Sequence, residues 1–200
     1  MRERDCRDRL IDATLSVCIR CGYEATTIEQ IATAAEVTPP DFARYFTTKD
    51  AALMAVVDDL LQATATALRH VDAAAGPEQA LLNATTEVLI AITDGRGVIT
   101  RDRMLAIAQI FTAHPNLRRQ ASLARKRILT QALAERMGVA AENRRVRQAV
   151  TMWSAVAAGA YLDRHSMAAH YDPGQDDQLE ERMTANLAAT FAEVMGKAPE

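Results

Sequence analysis

The chain has 200 residues, of which 49% are hydrophobic and 24% charged, and its formal net charge is −3 at pH 7. The composition is typical of a globular protein with enough apolar material for a core. The negative net charge excludes binding to nucleic acid through an overall positive charge. Alanine is abundant, whereas there are only 8 glycines and 6 prolines. We therefore expect an all-α fold.

The cysteines and the N-terminus indicate the cellular compartment. Three cysteines, an odd number, do not form a disulfide framework, so we expect a reduced cytoplasmic location. "MRERDCRDRL" mixes charges of both signs and no apolar segment follows it, so we expect no signal peptide. No run of about 18 apolar residues is present, and we expect no membrane association. Cys18 and Cys21 have redox-like spacing but lie in a helical pattern, which predicts two buried or half-buried thiols.

Hydrophobic periodicity predicts about nine helices and no strands. The first helix covers about Arg4–Cys21, and Gly22 ends it as a glycine at the C′ position. The second opens at Thr27, whose hydroxyl caps it, with Gln30 at the capping-box position. It stops near Ala35.

The third helix is short and begins with two prolines. Thr38 is the expected N-cap, Pro39 and Pro40 occupy the first two helical positions, and Asp41 is an acidic third residue. Proline fits there because the first N–H groups of a helix have no intrahelical partner. The helix ends at Tyr45-Phe46.

Six further helices are expected after this point. Thr48 caps the fourth and Thr100 the sixth, while Gly76-Pro77, His114-Pro115 and Gly138 separate helices. The predicted helices cover about Lys49–Val71, Pro77–Thr93, 101–113, Asn116–Met137, Glu142–Ala169 and Leu179–Val194.

The second and third helices predict a DNA-binding motif. Two short helices joined by a tight turn form a helix-turn-helix, whose second helix enters the major groove N-terminus first. Free N–H groups at the helix starts after Thr27 and Thr38 suit phosphate oxygens, and Lys49 supplies a point charge for another phosphate. Phe46 is expected to pack the short helix onto its neighbours, with the Tyr45 hydroxyl outside.

This stretch resembles the DNA-binding domain of the TetR family of bacterial repressors. The matching residues are Gly22-Tyr23, Thr26-Thr27-Ile28, Ile31-Ala32, Val37-Thr38, Tyr45-Phe46, Lys49 and Leu53. The resemblance implies a helix-turn-helix domain over residues 1–50 and a helical effector-binding and dimerisation domain over residues 51–200. It also implies a homodimeric, ligand-responsive regulator of transcription that is not an enzyme and needs no cofactor or metal.

The resemblance also assigns contacts within the motif. It puts Thr27, Thr38, Tyr45 and Lys49 against the phosphate backbone of double-stranded DNA. It puts the third helix at the bases, that is Pro39, Pro40, Asp41, Ala43 and Arg44. The family usually has a small residue at the position of Pro40 and commonly a tyrosine at that of Ala43, so one phosphate contact is missing. Arg44 is the leading candidate for a guanine or phosphate contact, while Asp41 either accepts from cytosine N4 or serves as a helix-end acid.

Charge weighs against DNA binding. Residues 1–50 hold seven Lys and Arg and nine Asp and Glu, so 7 − 9 gives −2, whereas most DNA-binding modules are basic. Arg2, Arg4, Arg7 and Arg9 either form an arm that reaches DNA or pair with Glu3, Asp5, Asp8 and Asp12 on a solvated helix face.

The C-terminal part is expected to dimerise and to bind an effector. A dimer would pair through the last two helices, using Ala155, Ala158 and Gly159 for close approach and an apolar stripe of Leu187, Phe191 and Val194. The alternative is that these residues face the core of one chain. Residues proposed to line a mainly apolar effector pocket are Val88, Ile92, Met104, Ile107, Phe111, Leu123, Arg127, Met152 and Trp153.

Two other function classes remain open at this stage. An enzyme in a helical scaffold would need convergent polar residues, and the sequence contains no such cluster, phosphate-binding glycine loop or metal motif. A helical protein-interaction module that has lost DNA binding would explain the acidic N-terminal region and Ala43. Replacement of Arg44 and Lys49 by alanine separates this alternative from a repressor.

Overall fold

The helix boundaries follow the hydrophobic periodicity closely. A computed structural model describes the backbone of residues 2–168 and 179–194 and the side chains of residues 5–158 and 184–194. Within these ranges there are nine helices and no strand, which confirms the all-α prediction. They are α1 (Arg2–Cys21), α2 (Ile28–Ala34), α3 (Pro39–Tyr45), α4 (Lys49–Leu68), α5 (Pro77–Thr93), α6 (Arg101–Ala113), α7 (Pro115–Met137), α8 (Arg144–Ala168) and α9 (Leu179–Val194). Residues 169–178, between α8 and α9, lie outside the described residues.

The structure confirms the predicted N-caps of α2, α3 and α4 and the glycine that ends α1. The N-caps of α2 and α3 are Thr27 and Thr38, each with a complete capping box. The hydroxyl of Thr48 accepts a hydrogen bond from the backbone N–H of Ala51 at 3.1 Å, as a cap of α4 should. Gly22 has φ +83° after α1, the left-handed conformation that glycine adopts without steric cost.

Packing divides the chain into two compact units. Unit 1 consists of Met1–Asp59 and Arg101–Ala121, and unit 2 of Leu60–Thr100 and Ser122–Glu200. α4 and α7 therefore each contribute to both units. The predicted boundary at residue 50 between a DNA-binding domain and an effector-binding domain is not tested by this division and stays a prediction.

Unit 1 has a core that holds the two short helices in place. Leu10, Ile31, Phe42 and Leu53 are all fully buried. The rings of Phe42 and Phe46 pack at 5.8 Å between centroids, as the predicted anchoring of α3 requires. Each such side chain contributes about 1.5–3 kcal/mol when removed from water, so burial of its inner face helps to fix α3.

Arginine–carboxylate pairs connect α1 with α6 and α4 inside unit 1. Arg103 of α6 donates to Asp12 at 2.6 Å and to Asp8 at 3.1 Å, and the hydrogen bond to Asp12 raises the pKa of Arg103. Arg7 donates twice to Asp59, at 3.0 and 3.1 Å. Asp8 and Asp12 thus pair with the distant Arg103, which neither sequence alternative anticipated. Arg7 also lies 3.9 Å from Asp8, a local pair of the kind that the second alternative predicted. The side chains of Arg2 and Arg4 lie outside the described residues.

The cysteine prediction was half wrong. Cys18 is buried, and desolvation raises the pKa of its thiol, but Cys21 is exposed. Cys21 is the last residue of α1, and its neighbours Arg20 and Gly22 are exposed as well.

Unit 2 is built around α5, α8 and α9, which contact one another. Leu81, Leu133 and Val146 are fully buried there, and the ring of Trp153 lies 6.5 Å from that of Phe191. Leu187 and Phe191 are therefore part of the core of this unit, the alternative considered for the apolar stripe of α9. Ala155 and Ala158 are exposed on α8, and the surroundings of Gly159 lie outside the described residues.

One segment meets the length and composition of a membrane span. Its most apolar window within Pro39–Leu68 has a mean hydropathy of 1.4, and 56% of that window is buried inside the protein. The core helix of a soluble protein meets the same criterion, and α4 carries Leu53, Val56 and Leu61 on its buried face. This feature is weak support for a membrane span.

Candidate nucleic-acid interface

The turn between α2 and α3 is closed by a residue that is not glycine. Glu36 has φ +55°, its N–H bonds the carbonyl of Thr33 at 3.1 Å, and the N–H of Val37 bonds the carbonyl of Ala32 at 2.9 Å. These two bonds form a Schellman motif, in which the C′ residue adopts the left-handed conformation. A tight turn was expected here, but the left-handed Glu36 was not predicted from the sequence, because glycine or asparagine is usual at that position.

The amino end of α3 is closed by its own side chains. The Thr38 hydroxyl lies 2.6 Å from Oδ2 of Asp41, and that carboxylate oxygen also accepts from the Thr38 backbone N–H at 3.2 Å. The Asp41 backbone N–H donates to the Thr38 hydroxyl at 3.3 Å. These bonds to Thr38 lower the pKa of Asp41. Of the two roles considered for Asp41, the structure supports that of a helix-end acid.

This arrangement corrects the expectation of free N–H groups at α3. Pro39 and Pro40 have no N–H, and the N–H of Asp41 is used by Thr38. The first turn of α3 therefore offers no unused backbone donor for a phosphate. The Asp41 carboxylate adds a negative charge at the same place.

The start of α2, unlike that of α3, retains a hydrogen-bond donor. The Thr27 backbone N–H donates to Gln30 at 2.9 Å, and the Thr27 hydroxyl accepts from the Gln30 backbone N–H at 3.3 Å. A threonine hydroxyl can accept and donate at once. Among the described residues the Thr27 hydroxyl has no acceptor for its hydrogen, so it retains a donor for a phosphate oxygen.

The outer face of α3 carries the remaining predicted base contacts. Pro39, Pro40, Ala43 and Arg44 are exposed, opposite the buried Phe42. The Arg44 side chain is 74% exposed, and its guanidinium lies 3.9 Å from Asp41. α3 thus presents two proline rings, one methyl group and one cation to solvent. Tyr45 is half-buried at the end of the helix.

Lys49 holds a loop in addition to any role at DNA. Its ammonium donates to the carbonyls of Tyr23 at 2.5 Å and Thr26 at 3.0 Å, and lies 4.3 Å from the centroid of the Tyr23 ring. An ammonium has three N–H donors, so two are used inside the protein. The predicted phosphate contact would use the third.

Tyr23 stands at the centre of a polar cluster that sequence reasoning missed. Its hydroxyl donates to Asp50 at 2.6 Å, and burial followed by this hydrogen bond raises the pKa of Tyr23. Its ring packs at 4.5 Å against that of His114, and Gln120 lies 3.4 Å from the second oxygen of Asp50. His114 and Gln120 lie far from the motif in sequence, between α6 and α7 and in α7, so only the fold brings them to Tyr23 and Asp50.

The residues predicted to line an effector pocket are distributed over both units. Val88, Ile92 and Trp153 are buried and Met152 is partly buried in unit 2, while Met104, Ile107 and Phe111 are buried in unit 1. Leu123 is 59% exposed and Arg127 is also exposed, because the buried face of α7 passes through Ile128 and Leu129. The pocket itself stays a prediction.

Unit 2 also contains an open groove between α5 and α9, with a volume of about 710 Å³. It includes none of the residues predicted for the effector. Its lining is Leu82, Asn83, Thr86, Glu87, Ile90, Ala91, Arg96, Thr184, Ala185 and Ala188.

These features define a class of protein. A short helix with a buried aromatic anchor and an exposed outer face, set behind a tight turn and a capped first helix, is a helix-turn-helix of the DNA-binding type. Residues 10–56 match the family described as "Bacterial regulatory proteins, tetR family". The N-terminal part of the chain thus matches the TetR family, as the sequence resemblance predicted.

A curated relative supports the same assignment. The HTH-type transcriptional regulator TcmR of Streptomyces glaucescens is 38% identical over 92 residues. This match covers 46% of the present chain and 41% of the relative, so the chain matches less than half the length of that protein.

Solved structures resemble the whole chain in fold. Thermus thermophilus FadR, a TetR-family repressor solved in complex with lauroyl-CoA, has a TM-score of 0.53 and 24% identity, covering 97% of this chain and 96% of its own. Bacillus halodurans FadR has a TM-score of 0.59 and 18% identity, covering 96% and 95%. SmeT, the repressor of a Stenotrophomonas maltophilia efflux pump, has a TM-score of 0.58 and 19% identity, covering 94% and 89%.

Proposed function

We propose that the protein is a homodimeric DNA-binding repressor in the cytoplasm that leaves a palindromic operator when a small, mainly apolar effector binds. The observation that carries this proposal is the exposed outer face of α3 on a helix whose inner face is locked by Phe42. A helix with a packed inner face and an exposed outer face is what major-groove insertion requires.

We infer that α3 reads bases mainly through apolar contact and one arginine. The exposed rings of Pro39 and Pro40 and the methyl group of Ala43 suit thymine methyl groups, which lie in the major groove. Arg44 is exposed enough to pair with guanine O6 and N7. Thr27, with its remaining hydroxyl donor, and Lys49, with its third N–H, would hold phosphates. Thr38 and Tyr45 stay proposed phosphate contacts, Thr38 in competition with its bonds to Asp41.

Dimerisation would give the second recognition helix. A single motif makes few contacts, whereas two motifs about 34 Å apart read a palindrome. The exposed Ala155 and Ala158 on α8 leave room for a partner helix, which supports pairing through α8 and α9. Leu187 and Phe191 would support that surface from inside unit 2.

The effector would act by favouring one arrangement of the two motifs. α4 contributes its first part to unit 1, next to the motif, and its second part to unit 2. A ligand that binds one spacing of the recognition helices better than another weakens DNA binding by the ratio of its affinities for the two states.

Selection of genomic DNA by the purified protein tests the proposal. We expect enriched fragments to share a palindrome with half-sites about one helical turn apart. Fluorescence anisotropy on that site should then show that Arg44→Ala costs about 1–3 kcal/mol and relaxes specificity at one base pair. Arg69→Ala, an exposed arginine of unit 2, is the matched control. If no sequence is enriched, the protein-interaction alternative replaces the regulator.

Effector action needs a separate titration. Operator affinity should fall when a binding small molecule is added, and a ratio that stays at unity for every ligand that binds would exclude the release mechanism. The titration also separates repressor release from constitutive binding.

A further inference from the structure

The two proposed phosphate contacts Thr27 and Lys49 are held by one clamp. The Thr26 carbonyl, which accepts from the Lys49 ammonium at 3.0 Å, belongs to the same peptide group as the Thr27 N–H, which donates to Gln30 at 2.9 Å. A peptide group is planar, so these two bonds fix its orientation from both ends. The Tyr23 carbonyl accepts from the same ammonium at 2.5 Å. The clamp therefore restricts where the Thr27 hydroxyl and the third N–H of Lys49 point.

Tyr23 is the centre of this clamp and is supported from outside the motif. Its hydroxyl donates to Asp50 at 2.6 Å, and the Lys49 ammonium lies 4.3 Å from its ring centroid. The ring of His114 packs against it with 4.5 Å between centroids and 48° between planes. Nδ1 of His114 also lies 3.8 Å from the carboxylate of Glu24, the next residue of the loop. The loop between α1 and α2 is thus contacted both by the start of α4 and by the joint between α6 and α7, all within unit 1.

His114 is a firm support because its own backbone is held. Its N–H donates to the carbonyl of Phe111 at 3.2 Å, and its carbonyl accepts from the N–H of Arg118 at 3.2 Å. The Arg118 guanidinium donates to the carbonyls of Phe111 and Thr112, which fixes the end of α6 against the start of α7. Nearer the start of α6, Arg103 donates to two carboxylates of α1. The helix that carries His114 is therefore anchored on both sides of the loop it supports.

We propose that His114 is a positioning residue for DNA binding, whose ring braces Tyr23 and so holds Thr27 and Lys49 in place for two phosphates of the operator. The inference rests on the proposed function and extends its supporting contacts beyond the helix-turn-helix. Phosphate contacts carry no sequence information directly. Loss of the brace should therefore weaken binding to every sequence by a similar factor and leave the preferred bases unchanged.

Two substitutions of His114 test this inference on the full chain with the operator that the wild type selects. His114→Ala removes the ring and should weaken operator binding about 3- to 10-fold, the range expected for an aromatic pair. It should also reduce the slope of log K against log salt by about 1, since Lys49 would lose its phosphate. His114→Phe keeps a ring against Tyr23 and should stay within about 2-fold of the wild type. His70→Ala, the same change at an exposed histidine of unit 2, is the matched control and should have no effect.

A double-mutant cycle separates positioning from a general structural role. Lys49→Ala removes the clamp, so His114→Ala in that background should weaken operator binding by less than about 2-fold. Hydrogen exchange of the DNA-free protein gives a second readout. Amides of residues 22–30 should exchange faster in His114→Ala, whereas those around Val146 in unit 2 should not change. If His114→Ala does not fold, His114→Gln replaces it, because glutamine lacks the ring but keeps most of the volume.

The inference is overturned if His114→Ala binds the operator as tightly as the wild type, or if the loss is the same with and without Lys49. It is also overturned if His114→Phe is as weak as His114→Ala, or if exchange in residues 22–30 is unchanged. A wild type that selects no DNA would refute the proposed function and this inference together. A binding wild type with an unaffected variant refutes this inference alone.

Discussion

Glu36 carries a side chain in a conformation that L-residues seldom adopt. Its φ of +55° closes the Schellman motif after α2 and directs the chain into α3. The left-handed conformation costs roughly 1–2 kcal/mol for a residue with a Cβ atom. The turn is therefore held by the packing of α2 and α3, and the strain sits next to the proposed recognition helix.

Glu36→Gly should stabilise unit 1. Glycine removes the steric cost but adds conformational freedom to the unfolded chain, so we expect a net gain of about 0.5–1 kcal/mol in urea unfolding. Glu29→Gly is the matched control, since Glu29 is exposed within α2 and its replacement should cost up to about 1 kcal/mol. Equal losses in both variants would contradict this account of the turn.

Lys49→Ala should lower both stability and DNA affinity. Removing the ammonium leaves the carbonyls of Tyr23 and Thr26 without this partner, which should cost about 1–3 kcal/mol in chemical denaturation. It should also reduce the slope of log K against log salt by about 1 if the third N–H holds a phosphate. A loss of stability with an unchanged salt slope would show that Lys49 is only a clamp of the loop.

At the scale of helices, α3 depends on a charged cap. Asp41 has a lowered pKa in the folded protein, so its carboxylate contributes stability that is fully present above the ordinary value of 3.8. That contribution declines as the pH falls from 3.8 and is lost once the pH passes the lower pKa of Asp41 in the folded protein.

Asp41→Asn should therefore destabilise the protein at pH 7 and much less at pH 3. The measurement is the difference in unfolding free energy between wild type and variant across this range. Gln30→Ala is the control, because Gln30 closes the uncharged capping box of α2 and its effect should not change with pH. A wild-type-to-variant gap for Asp41→Asn that is constant with pH would contradict the charged-cap account.

Local features of the helices were predictable from sequence, and long-range ones were not. Thr27 and Thr38 cap helices through bonds to residues three positions away, so the sequence contains the whole signal. Arg103 and Asp12 are 91 residues apart, and the clamp of Lys49 onto Tyr23 spans 26. These contacts depend on tertiary packing. The expectation of free N–H groups at α3 was wrong for a local reason, because the two prolines at its start have no N–H.

At the scale of the whole molecule, the proposed function depends on two copies of the chain. Ala158→Arg places a long charged side chain on the exposed face of α8 and should convert dimers to monomers in sedimentation analysis. Operator affinity should then fall to that of a half-site. Ala158→Ser, which adds one small polar atom, should remain dimeric. A monomeric wild type would exclude the proposed symmetry, and a dimeric Ala158→Arg variant would exclude α8 as the interface.

The acidic carboxylate of Asp41 and the two prolines at the leading end of α3 have a consequence for behaviour in the cell. A recognition helix whose first turn lacks backbone donors and carries a negative charge binds weakly to DNA of arbitrary sequence. Little of the protein would then be sequestered by the bulk chromosome, where competing sites vastly outnumber the operator. A small copy number would suffice to keep the regulated promoter occupied.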